Sequence, residues 1–171
     1  MKLSFFFLLL LLGFPQTASA QTQIKSAEIS FVFVSKGVEG SISGFNSSSS
    51  LDLNALSASQ FKGSVDVETL KTGNFLRDWS LKSRKYFDGD EYPKIHFIST
   101  SVFETDTGFE VQGTLTLKGK QNPISFSFVR EGNRLLGTTT LFSSDYGINI
   151  KKKREDNRVD VQLELQLAII P

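Results

Sequence analysis

Apolar residues recur at every second position through most of this chain. The clearest run lies near the C-terminus, where Val159, Val161, Leu163, Leu165, Leu167 and Ile169 alternate with Asp160, Gln162, Glu164 and Gln166. Period two gives a strand one buried face and one wet face. Phe109, Val111, Gly113, Leu115 and Leu117 repeat the pattern, as do Phe61, Gly63, Val65 and Val67, and Ile124, Phe126 and Phe128. Ile29, Phe31 and Phe33 form the first run, although Val32 and Val34 make it apolar on both sides. Turn signals at Asp106-Thr107-Gly108, Lys118-Gly119-Lys120 and Glu131-Gly132-Asn133 separate neighbouring runs.

Runs near 28–35, 38–46, 49–54, 59–69, 94–104, 108–118, 121–130, 133–142 and 158–170 predict eight or nine strands joined by tight hairpins, hence an antiparallel all-β fold. A helical pattern occurs once, over about 74–83, with Asn74 as its N-cap. Phe75, Leu76 and Trp79 are expected on its inner side. A closed barrel and an open sandwich both satisfy this alternation. In a barrel of about eight strands the interior holds side chains or one small ligand.

The first residues read differently. Met1-Lys2 is followed by an apolar run over 3–14 and by the small residues Ala18-Ser19-Ala20. This is the pattern of an export signal cleaved after Ala20, and it is too short to span a bilayer. The expected mature chain, 21–171, suits one domain located in the periplasm or outside the cell. There are 19 Lys and Arg against 18 Asp and Glu, and loss of Lys2 brings them into balance. A balanced charge argues against a general nucleic-acid binder. The chain has no cysteine, which rules out thiol catalysis, cysteine metal sites and a cysteine lipid anchor.

Candidate chemistry is sparse. His96 is the single histidine and falls on the wet parity of its strand. No G-x-S-x-G elbow occurs, and Gly37, Gly40 and Gly44 form no dinucleotide fingerprint. Asp88, Asp90 and Glu91 read as a solvated acidic loop without calcium-loop spacing. No catalytic or metal-ligating residue is assigned. Lys151-Lys152-Lys153-Arg154 is either a solvated hairpin tip or a rim that makes transient contact with anionic membrane headgroups. Arg77 and Asp78 either anchor the helix or hold a ligand head at a pocket mouth.

Twelve phenylalanines follow residue 20, most of them on the apolar parity. They make an ordinary core or the wall of a cavity. As a wall it comprises Phe31, Phe33, Phe61, Val65, Val67, Phe97, Val111, Leu115, Leu117, Phe126, Phe128, Val161, Leu163 and Leu165. Leu76 and Trp79 would line one end, and small inward positions such as Gly63 and Gly113 would leave room. An apolar tunnel suits an elongated apolar guest, since burying hydrocarbon contributes about 0.8 kcal/mol per methylene.

Three segments carry a resemblance: RDWSLKSRKYFDGDEYPKIHF at 77–97, GTLTLKGKQNP at 113–123 and SDYGI at 144–148. In this order the chain resembles, over about 28–168, the YceI-like family of exported, lipocalin-like proteins that bind polyisoprenoid lipids. The resemblance favours the antiparallel up-and-down barrel with one short helix. It implies a polyprenyl lipid or an isoprenoid quinone as guest, held in the periplasm. The family often carries a histidine where this chain has Ser35-Lys36, and an arginine where it has Ser143-Ser144. If those groups touch the ligand head, headgroup choice here differs. Two rival functions stand beside the carrier. One is an enzyme acting on a lipid or quinone, which needs convergent polar groups inside the barrel. The other is a ligand-free module that binds an envelope protein and has a filled core. Oligomeric state is not fixed by these residues.

Overall fold

In the computed structural model, which describes residues 21–170, the period-two runs become eight strands. They are β1 (Gln21–Phe33), β2 (Val38–Ser47), β3 (Lys62–Lys71), β4 (Lys94–Thr105), β5 (Gly108–Leu117), β6 (Lys120–Glu131), β7 (Arg134–Phe142) and β8 (Arg158–Ile170). The export segment, with its cleavage point after Ala20, lies outside the described residues. Each strand pairs antiparallel with its chain neighbours, and β8 returns to β1, so the sheet closes as an up-and-down barrel. The β1–β8 seam runs from Gln21↔Ile170 to Phe33↔Val159. Closure pairs the two edges that an open sandwich would expose.

The expected strand over 49–54 is not formed. Only isolated bridges occur there, Thr22↔Leu51 and Ser50↔Gln60. The Asp52 carboxylate accepts hydrogen bonds from the backbone N–H groups of Asn54 and Ala55, at 2.9 and 3.1 Å, and turns the chain before a ladder can extend. Leu51 is buried nonetheless.

The two ends of the barrel differ. One carries the short connections after β4 and β6 together with the 48–61 segment, and it is packed shut. Phe61, Phe109 and Phe128 stack there, with ring centroids 5.4 to 6.0 Å apart. Val102, Val111 and Leu135 complete this plug. Val111 belongs to it and not to a cavity wall, being wholly buried and paired with Phe126.

The inward glycines are covered by aromatic rings, although Gly63 still borders the barrel cavity. A Cβ on Gly113 would stand 2.3 Å from the Ile98 carbonyl oxygen and 2.6 Å from the Phe97 ring. On Gly63 it would meet the Phe45 ring at 3.2 Å. Each glycine is a floor over which a neighbouring aromatic ring lies, so the missing side chain is repaid in packing by a phenylalanine.

The opposite end carries the long connections, 72–93 and 143–157, and the single helix α1 (Phe75–Lys82). Asn74 caps α1 as expected, its side-chain oxygen accepting from the Arg77 N–H at 3.0 Å. The expected orientation is reversed. Arg77 donates to the Thr72 hydroxyl at 2.7 Å and to the Thr72 carbonyl at 2.8 Å, while Asp78 accepts from the Thr72 N–H at 2.8 Å. These bonds tie the polar face of α1 to the end of β3. Leu76 and Trp79 are therefore turned outward, 73% and 69% exposed, and do not line the interior.

Three ladders are incomplete at the open end. The β3–β4 pairs stop at Asp66↔Lys94, although β3 runs on to Lys71. The β6–β7 pairs stop at Ser127↔Thr138. The wedge they leave is sealed by the turn Ser143–Tyr146 and by Ile148, with Tyr146 and Ile148 buried. The β2–β3 ladder shifts register twice.

Candidate functional site: a one-ended apolar cavity

Above the phenylalanine plug the barrel is hollow. A cavity of about 480 Å³ runs from Phe61, Phe128 and Leu165 to the open end. That volume falls in the range of small-molecule sites. Twelve of the residues predicted for a wall stand in it: Phe31, Phe33, Phe61, Val65, Phe97, Leu115, Leu117, Phe126, Phe128, Val161, Leu163 and Leu165. Four do not. Val111 is in the plug, Leu76 and Trp79 are outside, and Val67 lies past the last β3–β4 pair, packed beside Gly89. Ile29, Ile42, Leu70 and Ile95 also line the cavity; apolar parity was the available signal for Ile29, Ile42 and Ile95, while Leu70 is off the parity of Val65 and Val67, where the β2–β3 register is irregular.

The roof comes from segments outside the strands. Leu81 of α1, Tyr86 and Phe87 after it, and Ile148 and Ile150 after β7 all border the cavity. Periodicity is silent for loops, but four of the five residues fall inside or next to the motif segments 77–97 and 144–148.

Those motifs build the frame of the mouth. Lys118 and Gly119 take positive φ, 50° and 71°, in the tight turn between β5 and β6. The Lys118 ammonium donates to the carbonyls of Arg84 and Lys85, at 3.1 and 3.3 Å. The Tyr92 ring lies on Gly119, where a Cβ would come within 2.7 Å of it. The 83–93 loop is thereby pinned over the barrel. On the far side, Asp145 accepts two bonds from Arg154, at 2.8 and 2.6 Å, and the guanidinium lies 3.8 Å over the Phe142 ring. The Asp145 carboxylate holds the Arg154 guanidinium above its ordinary range. Asn157, wholly buried, accepts from the N–H groups of Ile150 and Lys151 and donates to the carbonyls of Lys151 and Lys153. The basic run is thus a shaped loop, with Arg154 in a structural role and Lys152 and Lys153 exposed.

Polar groups border the cavity at Ser49, at Lys62 and Ser64 of β3, at His96 of β4, at Thr139 of β7, and at the mouth. Lys36, Thr72, Arg77 and Ser80 stand there, and Ser143 on the opposite side. Of the residues where the chain departs from the family pattern, Ser35-Lys36 and Ser143-Ser144, Lys36 and Ser143 border the cavity and Ser35 and Ser144 do not. No carboxylate borders it among the described residues. His96 is exposed, as its parity implied, yet it also borders the cavity beside Ser64 and Lys62. Tyr146 seals the wall with its phenol buried, and burial, aided by Asp145, pushes its pKa up to about 12. The wall thus offers mostly dispersion contacts, with hydrogen-bonding groups at the mouth and beside β3.

A closed antiparallel barrel with an apolar bore defines a class of small-ligand-binding proteins. Comparison with known proteins gives the family. The model of the YceI-like domain matches residues 16–169. A UPF0312 protein of Staphylococcus aureus strain MSSA476 is 32% identical over 152 residues, covering 80% of this chain and 86% of the relative. The fold is shared with BcnA of Burkholderia cenocepacia, at TM-score 0.70 and 18% identity over 83% of this chain and 96% of that one. It is also shared with a YceI protein of Campylobacter jejuni, at TM-score 0.64 and 17% identity over 78% and 85%. A polyisoprenoid binding domain from Saccharophagus degradans matches at TM-score 0.59 and 12% identity over 89% and 99%. This chain belongs to the YceI-like family, whose fold is that of a binding protein.

Proposed function

We propose that this protein holds an isoprenoid-type lipid, either a polyprenyl lipid or an isoprenoid quinone, in its barrel cavity and acts as an exported carrier in the periplasm or outside the cell. The observation that carries the reading is the apolar cavity of about 480 Å³, stopped by phenylalanines at one end and open at the other. Such a site takes an elongated hydrocarbon tail first and leaves a polar head at the mouth, beside Lys36, Thr72, Arg77 and Ser80. Each buried methylene stabilises the complex by about 0.8 kcal/mol, so a long tail needs few polar contacts. The related Saccharophagus degradans domain, described as polyisoprenoid binding, supports the same guest class. Export is supported by the Lys2, 3–14 and Ala18-Ser19-Ala20 pattern.

Organic extraction of protein purified from a membrane-containing host, followed by mass analysis, tests the ligand. A recovered prenyl lipid or quinone supports the carrier; protein that is always empty overturns it. Cell fractionation and N-terminal sequencing test the export, with a mature N-terminus at Gln21 as the expected result.

A further inference from the structure

α1 shows solvent three large apolar side chains, Phe75, Leu76 and Trp79, at 80, 73 and 69% exposure. At 100° per residue these positions span about one third of the helix circumference, so they form one outward face. Val34, in the turn after β1, adds a fourth exposed apolar residue at the same end of the barrel. Clustered exposure of this kind marks a contact surface, whereas single exposed apolar residues do not.

The same end is ringed by cations. Lys36 and Arg77 border the cavity mouth, and Lys71, Arg84, Lys85, Lys152 and Lys153 are exposed around it. The carboxylates at this end are Glu39, Glu68, Asp78, Asp88, Asp90, Glu91, Asp145, Glu155, Asp156 and Asp160, with Glu68 paired to Lys82 and Asp160 to Arg158. Of these, Asp78 is committed to Thr72 and Asp145 to Arg154. Trp, Phe and Leu on one helix face with Lys and Arg beside it fit the boundary between headgroups and acyl chains. Anionic headgroups complement the exposed lysines and arginines beside α1. Among the described residues no helix is long and apolar enough to cross a membrane, so contact would be interfacial.

We propose that α1 and its basic surround dock the open end of the barrel on an anionic phospholipid bilayer, with Phe75, Leu76 and Trp79 seated among the headgroups. Docking places the cavity mouth against the layer that would supply an apolar guest. That use rests on the carrier reading above, while the docking itself does not.

Trp79 is the only tryptophan in the sequence, so its emission reports the contact directly. The purified protein is titrated with vesicles of phosphatidylglycerol and phosphatidylcholine, and binding is read by co-sedimentation. The expected result is a blue shift of Trp79 emission on binding, weakened by added salt and absent with phosphatidylcholine alone. The double substitution Phe75→Ser, Leu76→Ser, at exposed positions, should weaken vesicle binding about tenfold or more with an unchanged melting temperature. Three results would overturn the proposal. They are unchanged emission with the protein left in the supernatant, vesicle binding that ignores the double substitution, and a blue shift without vesicles that tracks dimer formation in sedimentation velocity. A protein that yields extracted lipid yet ignores vesicles sinks the docking alone; one that docks but is always empty sinks the carrier alone.

Discussion

The two halves of this barrel are built from the same alternating strands and end in opposite states. In the plugged half, Phe61, Phe109 and Phe128 stack across the bore and Leu135 and Val111 are wholly buried. In the hollow half, Phe31, Val161 and Leu163 are inward by parity yet only partly buried, because they face a cavity. Alternation decides which face of a strand is inside. Ring size and the covering loops decide whether the inside is full. At the plugged end Phe61, carried by the 48–61 segment, meets Phe109 and Phe128 of the adjacent strands β5 and β6, while the 72–93 and 143–157 segments at the other end stand over the bore as a frame.

The sharpest break of this comparison is a pair of truncations. Phe109→Ala removes a ring from the plug and should cost about 3–5 kcal/mol of stability in denaturant melts. Leu163→Ala, in a wall with empty space before it, should cost less than the roughly 2 kcal/mol floor of packed-core leucine truncations. Equal costs would mean that the bore is as tightly packed as the plug. Next in size is Gly113→Ala, expected to cost about 1–3 kcal/mol because the new methyl meets a backbone carbonyl that cannot move aside. A neutral result would show that the Phe97 ring is not seated on that glycine.

The seal between β6 and β7 has a signature in pH. Tyr146 is held neutral in the folded state, with its pKa raised from 10 to about 12. Its contribution is fully present below pH 10 and is lost as pH rises from 10 to about 12. Melting temperatures across that window should fall more steeply for the native protein than for Tyr146→Phe; parallel slopes would place the phenol in water. The smallest effect concerns the exposed ion pair of Lys82 and Glu68, 3.2 Å apart. Glu68→Gln should change stability by less than about 1 kcal/mol, and a larger loss would make this contact an anchor of α1.

Much of this architecture was legible because a strand's side chains follow a strict parity. The wall residues on β1, β3, β5, β6 and β8 follow from it. The errors fall where contacts from other segments, which periodicity does not report, place a residue. Phe75, Leu76 and Trp79 read as the inner face of α1 because apolar faces are normally buried, but the bonds from Arg77 and Asp78 to Thr72 fix the opposite face inward. Gly113 read as a gap because the ring that covers it comes from another strand. Ile148 and Ile150 were invisible to periodicity, since a loop held by Asn157 and by the Ser143 bond to the Ile148 carbonyl carries them into the roof.

The central claim is that the hollow half is a binding site for one apolar chain. Native mass spectrometry of the protein and of Val161→Trp, which fills the bore at mid-height, tests it most directly. The account predicts a bound mass matching a prenyl lipid or quinone on the native protein and none on a folded Val161→Trp variant. An empty native protein, or the same adduct on both, would contradict it.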